Sequence, residues 1–484
     1  MSEARVAGTP ADPTPNLDRR SLLRNAAAVG LVALPGAGLL SACATSGSGD
    51  SGTSGGGKKT ATNPLGVKED APLDVVIFNG GYGDKYATEA HEPLYKKEFP
   101  KATVKHEAVT DVGKTLQPRF SSGTSVPDVV DNSGSGLMDF GALVADGQMA
   151  DLTPLWDAPS VDDPNKKVRD IVVPGTVDTG SFNGKPFVLY YVSTVFGLWY
   201  SGKLFKDKGW TVPTTWDDFL KLLDDIKKAG LTPFGYAGAN AAYYMWNVIL
   251  TSAAKIGGPD VLKAIDNLED GAWTAPAVKQ AATAWAEVGA KYTDKAFLGL
   301  KHTDVQLQQN QYKVALYPSG DWLPNEQSKD TPSDFQYQMM PTPSVTSSDK
   351  LPANAVRATA GEGFFVPAHA PNKAGGLEYL RQMLSKKGAN EFTKLTKSPA
   401  VTVGSAEGVD LGPGVNSSQA ALKAAGSNVF NIFFDGWYAE LDKECRTATN
   451  ELFFNGGTAD AFCTRMQKKA DAIKADSSVT KFHR

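Results

Sequence analysis

The chain has 484 residues, of which 41% are hydrophobic, 10% aromatic and 21% charged, so it is neither wholly disordered nor fibrous. A net charge of −4 excludes the basic face that nucleic acid requires. No apolar run reaches the roughly 20 residues of a spanning helix, so we do not expect an integral membrane protein. The length favours two or three folded units.

The first 43 residues have the pattern of an export signal. Arg19 and Arg20 precede a short apolar region, and residues 40–43 read Leu-Ser-Ala-Cys, which resembles a bacterial lipobox. The arginine pair is typical of twin-arginine export, with the general route as an alternative. We expect Cys43 to be lipidated, with a short buried helix as the competing interpretation. Residues 44–69 are predicted to form a flexible Gly/Ser-rich tether, which places the folded body outside the cytoplasmic membrane.

Two cysteines remain once Cys43 is assigned to lipid. Cys445 and Cys463 form an even pair in a chain expected to be exported, so we predict a disulfide between them. Two free, buried thiols are the alternative.

The first part of the folded body alternates strands with helices. Short apolar runs predict strands at 74–79, 102–109 and 128–131. Helices are predicted between them at 92–99 and 113–122. This order indicates a parallel sheet, in which ligands bind beyond the carboxyl ends of the strands. The residues that follow those ends are Asn79, Gly80, Gly81, Asp131, Asn132 and Ser133.

The rest of the chain is also mixed α/β and has no internal repeat. Further strands are predicted at 186–191, 197–200, 313–317 and 363–367. Helices are predicted at 213–228 and 374–393, from 243, from 276, and over most of the chain after 419. Thr214 or Thr215 is expected to cap the helix at 213–228. The absence of a long linker within 70–484 indicates closely docked units.

Sequence signatures of catalysis, metal binding and nucleotide binding are missing. The five histidines share no metal-ligand spacing, and neither a phosphate-binding loop nor a nucleophile elbow occurs. We therefore predict no catalytic residue, no metal and no cofactor. A pair of carboxylates for glycoside hydrolysis remains an alternative, because Asp and Glu are plentiful.

Aromatic side chains beside Gly, Asp or Asn are the main signal for a binding site. Trp322 follows Asp321 where a strand ends, and Trp437 and Tyr438 follow an Asp-Gly pair. A further cluster begins a helix with Tyr243, Trp246 and Asn247. Aromatic faces stack on the apolar face of a sugar ring, while polar side chains bond its hydroxyls. Most other tryptophans are expected in the core, namely Trp210, Trp216, Trp273 and Trp285.

Several motifs together resemble family 1 extracellular solute-binding proteins, the carbohydrate receptors of ABC importers. These motifs lie at 126–131, 197–205, 213–217, 314–322 and 364–367. Further segments at 63–67, 131–134, 168–170 and 264–269 resemble the actinomycete subfamily of lipoproteins that bind N-acetylglucosamine and N,N′-diacetylchitobiose.

The resemblance implies a two-lobed α/β fold of the periplasmic-binding-protein type, with hinge strands near 197–200 and 357–364. Lobe one would hold 70–195 and 360–405, and lobe two 196–359 and 406–484. A sugar would bind in the cleft between them, and the closed form would deliver it to the permease subunits and their ATPase. We expect a monomer that contacts the membrane only through its lipid.

The resemblance also implies roles for individual residues. Trp322 matches a tryptophan that stacks on sugar in many members, and Trp437 with Tyr438 matches a pair on a late helix. Glu362 lies near the hinge and is expected to bond a hydroxyl or amide. The polar part of an acetamido group is expected to meet Asn132, Asn247 or Asp321.

Overall fold

The computed structural model describes residues 57–134 and 136–484. The predicted export signal, Cys43 and the first part of the tether lie outside the described residues. The strands are β1 Leu73–Phe78, β2 Val104–Val109, β3 Val129–Asp131, β4 Ser181–Phe182, β5 Lys185–Pro186, β6 Leu189–Ser201, β7 Thr232–Phe234, β8 Val314–Gly320, β9 Tyr337–Met340, β10 Val356–Phe365 and β11 Val429–Phe430. Within the described ranges, no helix is both long and apolar enough to cross a membrane.

Helices surround these strands. The α-helices are α1 Glu92–Glu98, α2 Val112–Ser122, α3 Phe140–Ala145, α4 Thr153–Asp157, α5 Thr176–Thr179, α6 Gly202–Lys208, α7 Trp216–Lys228, α8 Ala242–Gly257, α9 Asp260–Asp266, α10 Pro276–Tyr292, α11 His302–Asn310, α12 Leu323–Glu326, α13 Lys373–Met383, α14 Lys386–Thr396, α15 Gly412–Ala425, α16 Phe434–Trp437, α17 Ala439–Phe454 and α18 Ala459–Ala475. Short 3-10 turns cover Val168–Asp170, Ala272–Thr274 and Lys295–Gly299, and a π turn covers Ala87–His91.

Local sequence explains how these helices begin and which face they bury. Thr215 caps α7 by accepting a hydrogen bond from the Asp218 amide at 3.3 Å. It is one of the two residues predicted as the cap. The apolar residues of α7 recur at helical spacing and are buried, namely Phe219, Leu222, Leu223 and Ile226. Helix α7 therefore packs one stripe against the core and leaves its acidic and basic residues in solvent.

The first three strands form the predicted parallel sheet. Strand β1 pairs in parallel with β2 on one side and with β3 on the other. Strand β10 adds antiparallel to β3, so Phe364 lies opposite Asp131. Strand β3 is buried throughout and β1 over most of its length, and the two end side by side at Phe78 and Asp131. The prediction that residues after these two strands share one sheet edge is confirmed.

Two long strands connect the two halves of the nine-stranded sheet. Strand β6 is one 13-residue strand, Leu189–Ser201, rather than the two predicted at 186–191 and 197–200. Its first half pairs with β10, and its second half pairs with β8 and β9. Because both β6 and β10 pass from one half of the sheet to the other, they occupy the position that the family resemblance assigns to the hinge.

The hydrophobic core consists of two clusters. The smaller packs around β1, α13 and α14, with Ile77, Tyr191 and Phe392 fully buried. The larger fills the half formed by β7, β8 and the helices α8, α10 and α17, and it also covers the other face of β1 and β3. The two halves are therefore docked through apolar contact as well as through the crossing strands.

The folded body begins earlier than the predicted tether boundary at residue 69. The Asn63 side chain donates to the Val67 carbonyl and accepts from the Val67 amide, both at 2.8 Å. Leu65 and Val67 are 8% and 2% exposed and belong to the smaller core cluster. Residues 57–69 are thus packed on the body, because two apolar side chains anchor a segment whose composition reads as a linker.

The predicted disulfide is not formed in this structure. Cys445 on α17 and Cys463 on α18 are free, buried thiols within the larger core cluster. Burial raises the pKa of Cys445 well above its usual range and that of Cys463 to about 11. Both thiols therefore stay protonated and pack as small apolar side chains, which is the alternative reading of the sequence.

Candidate functional site

The predicted site residues of the first half lie where β1 and β3 end. Asn79 and Gly80 are exposed immediately after β1. A Cβ atom on Gly80 would lie 2.1 Å from the Phe78 ring, so this position has no room for a side chain. The Gly81 carbonyl accepts a hydrogen bond from Asn325 Nδ2 at 2.6 Å. This contact joins the β1 loop to α12, so the loops of the two halves meet across the cleft between them.

Asp131 and Ser133 form a buried hydrogen-bonded unit at the end of β3. Asp131 accepts from Tyr86 Oη at 2.8 Å and from Ser133 Oγ at 2.6 Å. Ser133 Oγ in turn accepts from the Gly363 amide of β10 at 3.0 Å. The loop that follows β3 is therefore bonded directly to strand β10.

Asn132 has a structural role in the same loop. Its side chain donates to the Met138 carbonyl at 2.9 Å and accepts from the Met138 amide at 2.8 Å. Because Asn132 is 1% exposed and both ends of its amide hold the Met138 backbone, it does not present the donor and acceptor that we expected for an acetamido group.

Glu362 lies beside this unit in a strained backbone conformation. Its φ of 53° is in the left-handed region, inside a crossing strand. Burial, and then the negative charge of Asp131, raise the pKa of Glu362 well above its usual range, and burial raises the pKa of Asp131 to about 6. The raised pKa favours the protonated form of Glu362, in which the carboxyl group carries a donor as well as an acceptor. Its buried Oε2 has no hydrogen-bond partner among the described residues.

Asp321 approaches the same place from the other half. It is fully buried after β8, and burial raises its pKa to about 7. Ser418 Oγ donates to its Oδ2 at 3.2 Å, while Oδ1 is unpartnered within the described part of the chain. The Tyr82 hydroxyl is likewise buried and unpartnered there, and burial, followed by the negative charges of Asp321 and Glu362, raises its pKa. Polar groups from both halves thus converge beside the crossing strands.

Trp322 forms an aromatic wall next to Asp321. Its half-buried ring lies 5.4 Å from Phe196 of β6, edge to face, and 5.8 Å from Tyr244. Its Nε1 donates to Tyr244 Oη at 3.2 Å. Gly320 is required here, because a Cβ atom would lie 2.0 Å from the Trp322 ring. The indole is therefore held in one orientation and keeps part of its surface open.

The aromatic cluster that begins α8 divides into inner and outer residues. Trp246 is 1% exposed and donates to Asp442 at 3.0 Å, and Asn247 is buried with its Nδ2 bonded to the Tyr243 carbonyl at 3.0 Å. Tyr243 is half-buried, packs on Tyr244, and lies under Arg446. Of this predicted cluster, Tyr243 is the side chain that keeps exposed surface.

Trp437 and Tyr438 are brought together but are covered. The Trp437 ring lies 6.0 Å from Phe482 and 6.5 Å from Phe182 and is 4% exposed. Tyr438 Oη donates to the Phe482 carbonyl and accepts from the Phe482 amide. Phe482 therefore helps to bury Trp437 and Tyr438 in the core. The structure does not bring this pair together with Trp322.

Sequence reasoning missed several residues of the site. Tyr82, Phe196 and Arg357 lie between or beside the predicted residues, and Asp435 faces Arg357 with 3.6 Å between Oδ2 and Nη2. The one signal in the sequence was the charge of Arg357 between the apolar residues Val356 and Ala358, and this signal does not reveal an unpartnered atom. Nothing in the spacing of the others separated them from core residues.

Two open pockets share no lining residue with the candidate site. Pockets of about 320 and 440 Å³ lie on the second half, lined mainly by small apolar residues around Pro213 and Ala420 and by α10 residues around Trp216. Among residues 57–134 and 136–484, no group of three or more His, Cys, Asp or Glu is arranged to hold a metal ion.

Comparison with known proteins gives the class of protein to which this fold belongs. The sequence profile of the family described as "Bacterial extracellular solute-binding protein" matches residues 79–390, and the chain belongs to this family.

A relative matches nearly the whole chain. The diacetylchitobiose binding protein NgcE of Streptomyces coelicolor is 38% identical over 477 residues, 96% of this chain and 98% of the relative. A multiple sugar-binding protein of Streptococcus mutans is 32% identical over 30% of this chain and 31% of the relative.

Solved structures confirm the fold. A chitin oligosaccharide binding protein superposes with a TM-score of 0.65 at 19% identity, covering 82% of this chain and 98% of the other. The apo form of RafE from Streptococcus pneumoniae superposes with a TM-score of 0.62 at 21% identity, covering 84% and 99%. The expected family and fold are thereby confirmed.

Proposed function

We propose that this chain is the exported receptor of an ABC sugar importer and binds N-acetylglucosamine, N,N′-diacetylchitobiose or both. The relative at 38% identity that is named for diacetylchitobiose binding supports this ligand class. The observation that carries the proposal is the meeting of Trp322 with buried, partly unpartnered polar groups from both halves at the crossing strands.

These two features suit the two faces of a sugar. The open surface of Trp322 stacks on the apolar C–H face of a pyranose ring, with Tyr243 close by. The carboxyl groups of Glu362 and Asp321 bond the hydroxyls. Because unmade hydrogen bonds of buried groups are costly, a ligand that completes them gains both affinity and specificity.

The ligand acts by shifting the lobes toward a closed form. Lobe one would comprise 70–195 and 360–405, and lobe two 196–359 and 406–484, with β6 and β10 as the hinge. Asn325 and Gly81 make one of the contacts that closure requires. The closed receptor then docks as a monomer on the permease subunits, whose ATPase drives import.

The anchor is a separate part of the proposal. The export signal at 1–43 would be removed and Cys43 lipidated, which holds the receptor on the outer face of the cytoplasmic membrane. A palmitate analogue fed to cells should label the chain, and Cys43→Ala should abolish the label and release the protein into the medium. A label that persists in the variant would show that Cys43 is not the lipidated residue.

Calorimetry tests the ligand. Residues 57–484 are titrated with N-acetylglucosamine, diacetylchitobiose, maltose, cellobiose and xylobiose, and binding near micromolar is expected for the acetamido sugars alone. Tight binding to a plain sugar alone would keep the receptor class and reject this ligand.

The same titration separates a receptor from a glycoside hydrolase. We propose that the chain has no catalytic activity, so diacetylchitobiose recovered after the titration should be intact. Recovery of the monosaccharide would instead assign Asp131, Glu362 or Asp321 to hydrolysis.

A further inference from the structure

Arg357 at the start of β10 is a buried cation held between two aromatic rings. Its guanidinium carbon lies 4.6 Å from the Phe196 ring centroid and 5.5 Å from that of Trp246. The side chain is 4% exposed. Contact with two rings restricts the movement of the guanidinium group and leaves its N–H groups to bond to polar neighbours.

The hydrogen bonds of this guanidinium are incomplete. Nε donates to Asn431 Oδ1 at 3.4 Å, and Nη2 lies 3.6 Å from Asp435 Oδ2. Nη1 is buried and has no acceptor anywhere in residues 57–134 and 136–484. A buried, charged donor without an acceptor is costly, so this position calls for a partner.

The surroundings place this donor beside the aromatic wall. The Phe196 ring lies under Arg357 and makes a T-shaped contact with Trp322, so one ring joins the cation to the proposed stacking residue. Phe196, Trp322 and Asp435 are half-buried and retain open surface. A ligand stacked on Trp322 is therefore adjacent to the guanidinium.

We propose that Arg357 is a specificity-determining residue that donates a hydrogen bond to the carbonyl oxygen of an acetamido group on the sugar. This inference rests on the proposed function and names the contact that selects acetylated sugars. A guanidinium only donates and a carbonyl oxygen only accepts, so the pairing is complete. A hydroxyl must also place its own proton, and the ammonium of a deacetylated sugar is repelled.

Phe196 and Asp435 suit the remaining parts of the acetamido group. Phe196 presents apolar surface to the methyl carbon, and Asp435 offers an acceptor to an N–H or O–H group near the cation. The apolar surface of Phe196 does not favour the unmodified hydroxyl of cellobiose, whereas Asp435 could accept from either sugar and so does not discriminate between them.

A double-mutant cycle, in which Arg357 and the carbonyl oxygen of the ligand are changed singly and together, tests the proposed hydrogen bond. The full chain and its Arg357→Met variant are each titrated with diacetylchitobiose and with its bis-thioacetyl analogue, whose sulfur is a poor acceptor. In the wild type, sulfur should weaken binding roughly 10-fold, and in the variant by less than about 2-fold, because the donor is gone. The variant itself should bind diacetylchitobiose roughly 10- to 100-fold more weakly. Equal weakening by sulfur in both proteins would overturn the inference.

Arg484→Met is the matched control. Arg484 also lies on a ring, 4.4 Å from the Phe433 centroid, but its Nε bonds Asp266 at 2.8 Å and its Nη2 bonds the Asn431 carbonyl at 3.2 Å. The control should keep the wild-type response to sulfur, and loss of that response would reassign the effect to packing.

The outcomes remain distinguishable. If Arg357→Met does not fold, Arg357→Lys replaces it in the cycle. Lysine keeps the charge and a donor group but loses the planar guanidinium, so sulfur should weaken its binding by less than it weakens that of the wild type. A wild-type chain that binds no acetamido sugar would reject the proposed function itself, whereas wild-type binding with additive effects would reject Arg357 alone.

Discussion

Trp322 and Trp437 are preceded by similar sequence and end in different environments. Each follows a pair made of Gly and Asp at the edge of an element, and each was expected to stack on a sugar. Trp322 is half-buried and keeps open surface beside the crossing strands. Trp437 is 4% exposed and packed among Phe182, Phe433 and Phe482.

The difference comes from residues distant in sequence. Phe182 belongs to a small hairpin of the first half, and Phe482 lies two residues before the end of the chain. Together they cover Trp437, while nothing comparable covers Trp322 in the part of the chain that the structure describes. An aromatic motif thus predicts a large apolar contact, and distant segments decide whether a ligand or the core provides it.

Removing Trp437 should produce the largest effect, and the effect should be on stability. Trp437→Ala is expected to lower the free energy of unfolding by about 3–5 kcal/mol, because a buried indole leaves a cavity. The Kd for the sugar should stay within about 3-fold in the variant that remains folded. Denaturant unfolding and calorimetry measure the two quantities, and an affinity loss without a stability loss would place Trp437 in the site.

Removing Trp322 should reverse this pattern. Trp322→Ala is expected to weaken sugar binding roughly 30-fold, about 2 kcal/mol, since aromatic anchors carry much of the energy of such sites. Its effect on unfolding should be smaller than that of Trp437→Ala, because the ring is half-buried. Trp322→Phe keeps a stacking face and should recover most of the affinity; failure to do so would contradict stacking.

The buried carboxyl beside Trp322 should make stability depend on pH. Burial raises the Asp321 pKa from 3.8 to about 7, so the folded state holds a proton that the unfolded state releases. Stability from this group therefore falls as pH rises from about 4 to 7, by about 2 kcal/mol between pH 5 and pH 7. Asp321→Asn should remove this part of the slope in unfolding measured at both pH values. An unchanged slope would show that Asp321 is ionised in the folded state.

The smallest effect is expected at the first folded turn. Asn63→Ala removes both hydrogen bonds that hold Val67 and should cost about 1–2 kcal/mol locally. Faster hydrogen exchange or proteolysis confined to residues 57–67 would show it, with sugar affinity unchanged. Asn132→Ala, which removes an equivalent pair of bonds to Met138, gives the comparison at the edge of the cleft, where affinity should fall as well.

Much of the fold could be read from local patterns. The parallel strands β1 to β3 and the capped helix α7 were predicted, because periodicity and capping depend on neighbouring residues. The division of β6 into two strands was wrong, because its middle residues continue the pairing with β10. The predictions of a disulfide and of a tether that extends to residue 69 were also wrong. The side chains of Cys445, Cys463, Leu65 and Val67 are buried in the hydrophobic core, which local sequence does not reveal.

The candidate site was predictable only in outline. Asp321, Trp322 and Glu362 were chosen for their residue type at strand ends or near the hinge, and the structure gathers them. Tyr82 and Arg357 were missed, since their importance depends on unpartnered atoms that no sequence pattern reveals. Asn132 has a suitable side chain, but the Met138 backbone uses both of its ends.

The amino-acid sequence by itself determined the class of protein, because the order of its strands, helices and motifs is specific to extracellular solute-binding proteins. Only the tertiary structure decided which aromatic rings stay open, which carboxyls hold protons and which donors lack partners. The physical reason is that burial is set jointly by segments hundreds of residues apart. Phe482 closes over Trp437, and β10 brings Arg357 to Phe196.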